Sequence, residues 1–131
     1  MVLRIVRLGS PRAEQEGTRI GTVRRPPRGV PKAEFATQNW YDVWFPLLAP
    51  SAETMKDGQA AVAAGDDAAW QAFVRRYRSE MKAPEAEQAL NLLAALSHTS
   101  NLSVGCYCDT EARCHRSLLR ELLAARGADL A

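Results

Sequence analysis

The C-terminal part of the chain reads as a strand, a polar turn and a helix, and this order constrains the fold more than any other feature. Leu102–Cys108 is an apolar run that predicts a buried strand. After the turn, leucines at helical spacing predict a final helix that begins at Cys114 and ends near Arg126, with Gly127 as its stop. A strand that leads directly into a helix is the unit from which the parallel sheets of α/β proteins are built.

Strand signals come first along the rest of the chain. Alternating apolar and basic residues predict a strand at Val2–Leu8, and β-branched residues predict a second strand at Arg19–Val23. Arg24–Lys32 contains three prolines and a glycine, which exclude a regular element, so we predict a loop that carries four cations. The aromatic segment Asn39–Phe45 predicts a short strand or extended segment whose rings pack in the core.

Helix signals follow these strands. Ser51 can cap a helix over Ala52–Ala64, and Gly65 can end it. Asp66 can cap a second helix, and Pro84 can begin a third. The second and third helices carry apolar stripes that predict their buried faces: Trp70, Phe73, Val74, Tyr77 and Met81 on the second, and Ala89, Leu92, Leu93 and Leu96 on the third. The order predicts a single α/β domain over residues 1–131, with a small, largely parallel sheet flanked by about four helices.

The composition is that of a folded protein. The chain has 131 residues, a length sufficient for one domain with its own core, and apolar residues make up 47% of them. The chain has no apolar run long enough to span a membrane and no signal-peptide architecture. We therefore expect a cytoplasmic protein with reduced cysteines and no membrane partner. The sequence indicates neither an oligomeric state nor a cofactor.

Positive charge is concentrated near the N-terminus. Residues 1–32 hold eight basic and two acidic residues, although the whole chain has a net charge of only +2. This basic third could bind an anion or consist of solvated strand-edge residues. Guanidinium groups suit carboxylate and phosphate, so we predict a small anionic ligand held by Arg19, Arg24, Arg28, Lys32 and Arg116. Nucleic-acid binding through the basic third is an alternative, but the modest net charge and the lack of a recognisable motif argue against it.

The three cysteines lie within nine residues, from Cys106 to Cys114, and His115 follows the last of them. Cys114 is at the predicted start of a helix, beside His115 and near Arg116, and each of these features lowers the pKa of a thiol. The pattern is typical of thiol-dependent enzymes, with Cys114 as nucleophile or redox thiol and His115 as its proton partner. The sequence leaves open whether the chain is an enzyme.

Three other interpretations of the cysteines stay open. A non-enzymatic module could bind zinc or iron through Cys106, Cys108, Cys114 and His115, although adjacent Cys-His ligands are geometrically awkward. A redox-sensing module could form a reversible disulfide between Cys114 and either Cys106 or Cys108. Alternatively, Cys106 and Cys108 are simply small core residues of the strand.

These motifs resemble the domain-of-unknown-function 488 family. A strand that ends in Cys106, followed after seven residues by Cys114, His115 and Arg116 at the start of the last helix, is the pattern of that family. Its YeaO-like branch is similar in the N-terminal half, through Gly17, Arg19, Arg24, Pro27, Arg28, Gly29, Val30 and Lys32. The resemblance implies a compact α/β fold and no established reaction.

The chain also departs from that family at three positions. Cys108 stands where the family commonly has an acidic residue, Val23 where the branch has an aspartate, and Pro26 where it has a tryptophan. The additional thiol favours the metal and redox interpretations for this chain. If the aspartate is catalytic in relatives, its role is lost or moved here.

Overall fold

The computed structural model describes all residues from 1 to 131 and contains a four-stranded sheet and four α-helices. The strands are β1 (Leu3–Arg7), β2 (Thr18–Gly21), β3 (Val43–Trp44) and β4 (Leu102–Cys106). The helices are α1 (Ala52–Ala64), α2 (Asp67–Glu80), α3 (Pro84–Leu96) and α4 (His115–Ala125). The α/β class predicted from the sequence is confirmed. None of these helices is both long and apolar enough to cross a membrane.

Strand β4 lies in the middle of the sheet, between β1 and β2, and β3 lies on the outer side of β2. All pairings are parallel, with Leu3 opposite Leu102 and Gly21 opposite Gly105. Every residue of β4 is buried. Since the strands are parallel, the loops that follow them meet at one edge of the sheet, which we call the carboxyl edge.

The structure shortens the predicted last strand by two residues. Strand β4 ends at Cys106, which pairs with Arg7, the last residue of β1. Both neighbouring strands end before they could pair with Tyr107 or Cys108, so these residues leave the sheet. Cys108 is exposed in the following loop and is therefore not a core residue.

Local signals locate α1 and α2 correctly. The Ser51 hydroxyl accepts a hydrogen bond from the backbone N–H of Thr54, and α1 ends at Gly65, whose φ of 63° lies in the left-handed region. Asp66 caps α2 in the same way as Ser51 caps α1. The predicted apolar stripe of α2 is buried along its whole length. These predictions are confirmed because a cap and a stop depend on a few neighbouring residues only.

The buried face of α3 differs from the prediction. Leu92 is 59% exposed and Leu96 37% exposed, whereas Leu90 is fully buried. Both sets of leucines have helical spacing, so the pattern allows either face to be apolar. The helix packs against α4 and the turn Pro46–Leu48, and this packing buries Leu90 beside the correctly predicted Ala89 and Leu93.

The aromatic segment is only partly in the core. Tyr41 is buried and packs so closely against the backbone of Gly21 that a Cβ atom there would lie 2.3 Å from its ring. Trp44, in contrast, is 45% exposed, and its indole N–H donates to the carbonyl of Val23 at 2.9 Å. The prediction of core packing is therefore right for Tyr41 and wrong for Trp44.

A buried ion pair joins the segments around the sheet. The Arg19 guanidinium donates to both carboxylate oxygens of Glu16, at 2.8 and 3.0 Å, and to the carbonyls of Ser10 and Asn39. The Ser103 hydroxyl, on β4, donates to the same carboxylate at 2.7 Å. Burial alone would raise the pKa of Glu16, but the hydrogen bonds from Arg19 and Ser103 outweigh it and lower the pKa to about 2.

We expect Arg19→Met to lower the free energy of unfolding by about 3–5 kcal/mol, because the Glu16 charge would stay buried without its partner. Urea denaturation at pH 7 measures this loss. Arg12→Met is the matched control, since Arg12 pairs with Asp42 in a partly exposed position and should contribute about 1 kcal/mol or less. Equal losses for the two variants would contradict the structural role of the buried pair.

Candidate functional site

A cleft of about 1650 Å³ lies at the carboxyl edge of the sheet. Its walls are the loops that follow β1, β2 and β4, together with one side of α1. All three cysteines and His115 line it. The structure therefore brings together the four residues that the strand–turn–helix pattern singled out.

The sulfur atoms of Cys106 and Cys114 are in direct contact, 2.6 Å apart. Cys106 ends β4, and Cys114 is the residue before α4, so the two thiols mark the strand end and the helix start as predicted. Both are buried, and neither forms a disulfide. Together with the exposed Cys108, they make up what we call the thiol cluster.

The imidazole of His115 has a defined orientation and tautomer. Its Nε2 lies 2.8 Å from the carbonyl oxygen of Thr22, and its Nδ1 lies 3.8 Å from the sulfur of Cys114. A carbonyl can only accept a hydrogen bond, so Nε2 carries the proton and Nδ1 presents a lone pair to the thiol. Burial lowers the pKa of His115. The ring is thus a neutral proton acceptor beside Cys114.

Arg116 lies beneath the thiol cluster. It is only 4% exposed, and its Nη2 donates to the carbonyl of Cys108 at 2.7 Å, while its Nε has no hydrogen-bond partner. Burial opposes the charge, but the neighbouring thiols, Cys106 first among them, raise the pKa of Arg116. Its positive charge therefore acts on the sulfur atoms. Arg116 does not line the cleft, although we predicted it among the residues that hold an anion.

Negative charge in the thiol cluster settles on Cys108. Hydrogen bonds from the Cys106 and Cys114 thiols hold the pKa of Cys108 far below its usual value, and His115 and Arg116 add to this effect. Contact with Cys106 favours ionisation of Cys114, but its bond to Cys108 and its burial outweigh this and raise the pKa of Cys114 to about 11. The lowered pKa expected for Cys114 thus belongs to Cys108, because the exposed sulfur is the least costly place for the charge.

The basic residues of the predicted anion site are only partly together. Arg24 and Arg28 line the cleft, and Arg24 is held by the carbonyls of Ala49 and Pro50. Lys32 is exposed but lies outside the cleft lining. Arg19 is fully buried and commits its guanidinium to the ion pair described above, so it has no role in the cleft.

Two unpaired cations of the cleft were not among the residues of the predicted anion site. Arg25 and Lys56 both line the cleft, and neither has an acidic partner; the same is true of Arg24 and Arg28. The loop that carries Arg25 was visible as a cationic segment. No local sequence signal identifies Lys56 as a site residue, because it reaches the opposite wall of the cleft only through the position of α1.

Three donor atoms of the site could hold a metal ion. The sulfurs of Cys106 and Cys114 and a ring nitrogen of His115 lie within 4.8 Å of one another, and the Thr22 carbonyl orients the imidazole as second-sphere partners of metal ligands do. Two features fit a metal less well. The sulfur atoms are closer than the roughly 3.8 Å that two thiolates around tetrahedral zinc require, and the buried Arg116 already supplies positive charge.

Fold and site together define a small α/β protein with a cysteine–histidine cluster at the carboxyl edge of a parallel sheet. Residues 3–127 match the family model described as the active DUF488-N3 subclade, and the chain belongs to this family. The resemblance noted from the motifs is thereby confirmed at the level of the family, and the YeaO-like branch is compatible with it. No match was found among curated proteins or among solved structures.

We expect Cys108 to react with iodoacetamide at an almost constant rate from pH 9 down to pH 6. Its lowered pKa keeps it ionised through this range, whereas an ordinary thiol, with a pKa of about 8.5, loses reactivity below that value. Peptide mass spectrometry of briefly labelled protein measures the rate at each cysteine. Replacing Cys106 and Cys114 with alanine should restore the ordinary pH dependence. A rate at Cys108 that falls tenfold per pH unit in the wild type would contradict the assignment.

Proposed function

We propose that the chain is a thiol-dependent enzyme that acts on a small anionic substrate bound in the cleft. The observation that carries this proposal is the orientation of His115, whose Nδ1 lone pair faces the sulfur of Cys114. A nucleophile, a base within reach of it and a third group that orients the base are the common elements of nucleophilic enzymes. The cysteine–histidine pair lies within residues 3–127, which match the family model described as an active subclade.

The chemistry follows from the protonation states of the thiol cluster. Nδ1 of His115 accepts the proton of Cys114, and the thiolate that forms attacks an electrophilic centre of the substrate. The Thr22 carbonyl holds the second ring proton and stabilises the imidazolium. Because burial disfavours a charged His115, the proton is passed on readily to the leaving group.

Charge in the cleft supports an anionic substrate. Arg24, Arg25 and Arg28 on one wall and Lys56 on the other have no acidic partners. Asp109, the one acidic residue of the lining, is paired with Arg7 at 2.6 Å. A cleft with excess positive charge raises the local concentration of anions and slows their release.

Iodoacetate and iodoacetamide test this proposal as a matched pair, because they carry the same leaving group and differ in charge. In a Cys106→Ala/Cys108→Ala protein, where Cys114 is the remaining thiol, we expect iodoacetate to react faster than iodoacetamide. Arg28→Ala and Lys56→Ala should each lower that ratio by about threefold or more, and added salt should lower it further. Alkylation rates from intact-protein mass spectrometry measure the ratio.

Control variants distinguish the effect of the base, His115, from the effect of the cleft cations. Arg75→Ala and Lys82→Ala remove exposed charges outside the cleft and should leave the ratio unchanged. His115→Gln keeps a donor for the Thr22 carbonyl but cannot accept the thiol proton, so both reagents should react about tenfold more slowly or worse. A ratio that is insensitive to Arg28 and Lys56, or rates that are insensitive to His115, would refute the proposal.

A metal-binding module is the second candidate function, and the grouping of Cys106, Cys114 and His115 donors favours it. We expect zinc and iron well below one equivalent in protein purified without oxygen, because the buried charge of Arg116 competes with a cation. Elemental mass spectrometry measures the content. Near one equivalent of metal that is lost in both Cys106→Ala and Cys114→Ala would make this module the better assignment.

A further inference from the structure

We propose that the three cysteines form a thiol–disulfide relay. In it, the exposed Cys108 exchanges with an external disulfide, and the buried Cys106 and Cys114 end as an internal disulfide. This activity goes beyond the proposed nucleophilic reaction, because it transfers two electrons and leaves no group on the protein. The relay requires an external disulfide, such as that of oxidised glutathione, as its electron acceptor.

The first support is the contact between the two buried sulfurs. Cys106 and Cys114 lie 2.6 Å apart, so a bond between them requires no rearrangement of β4 or α4. They are separated by eight positions in the chain, and both sit at the ends of regular elements that hold them in place. A dithiol held in contact is oxidised more readily than two independent thiols.

The second support is the division of the cluster into one exposed and two buried thiols. Cys106 and Cys114 are each only 2% exposed, so a bulky disulfide cannot reach them directly. Cys108 is exposed, lines the same cleft and follows Cys106 by two positions, and its carbonyl is held by Arg116. It is therefore the point of entry, and its neighbours are placed to take over the bond that it forms.

The first exchange occurs at Cys108. Its thiolate attacks one sulfur of the external disulfide, a mixed disulfide forms, and one small thiolate leaves. Arg116 stabilises the attacking charge, and its bond to the Cys108 carbonyl holds the loop against the cluster.

Two further exchanges move the bond inward. Cys114 gives its proton to Nδ1 of His115 and attacks the sulfur of Cys108, which expels the second small thiolate. Cys106 then loses its proton and attacks the sulfur of Cys114, so the Cys106–Cys114 disulfide forms and the Cys108 thiolate is regenerated. The two protons from Cys106 and Cys114 neutralise the two small thiolates. Two electrons have passed from the buried pair to the external disulfide.

The experiment uses fully reduced protein, oxidised glutathione and a chelator. Samples are quenched with acid, alkylated and analysed by peptide mass spectrometry, and released glutathione thiol is counted. For the wild type we expect two equivalents of glutathione thiol, a Cys106–Cys114 disulfide and a free Cys108. Cys108→Ser should form the same disulfide at least tenfold more slowly.

Two further variants should stop the relay at defined intermediates. Cys106→Ser should accumulate a Cys108–Cys114 disulfide, and the double variant Cys106→Ser/Cys114→Ser should retain glutathione on Cys108 with one equivalent released. Circular dichroism confirms that each variant is folded. The relay is overturned if Cys108→Ser is oxidised as fast as the wild type, or if glutathione stays on the wild-type protein.

The relay and the proposed nucleophilic reaction can fail independently. The preference for iodoacetate is measured on reduced protein, in which no disulfide participates. The relay is measured by thiol oxidation, and iodoacetate is absent while the reaction runs. If the iodoacetate preference is lost but the relay is intact, only the proposal of an anionic substrate is refuted. If the preference is present but no internal disulfide forms, only the relay is refuted.

Discussion

The buried pair of Glu16 and Arg19 is the interaction on which the geometry of the cleft depends. Arg19 reaches the loop after β1 and the segment before β3, and Glu16 accepts a hydrogen bond from the central strand. Burying two charges costs several kcal/mol each, and the cost is offset here because almost every donor and acceptor of the pair is used. The pair thereby secures the segments that carry the walls of the cleft to the strand that carries its floor.

The helices α1 and α2 could be located from the sequence because their signals are local: a capping side chain, an apolar stripe and, for α1, a glycine stop. The face of α3 could not, since a helix rich in leucine offers two apolar faces and only its packing partners select one. Trp44 shows a similar limit. Aromatic residues favour burial, but the short outer strand β3 has too little cover to enclose this ring.

The location of the candidate site could be predicted from the sequence, but the distribution of charge within it could not. Strand and helix signals bring Cys106, Cys114 and His115 together, because a parallel strand and the helix that follows it meet at the carboxyl edge. Which sulfur is charged depends on how the three thiols interact and on their relative exposure, neither of which a sequence pattern records. Arg19 was assigned to the anion site although Glu16, three positions earlier, is a plausible partner in the sequence; Lys56 could be placed only by the packing of α1.

The position of β4 also determines when this protein can fold. Strands β1 and β2 do not pair with each other, and the strand that joins them is β4, which follows both of them by about eighty residues. During synthesis, β1 has no neighbouring strand and β2 has only the short β3 until β4 leaves the ribosome, and contacts of such long range form slowly. The segment that completes the sheet also carries all three cysteines. A nascent polypeptide therefore has no assembled thiol cluster to react prematurely, and chemical competence and folding are completed in the same step.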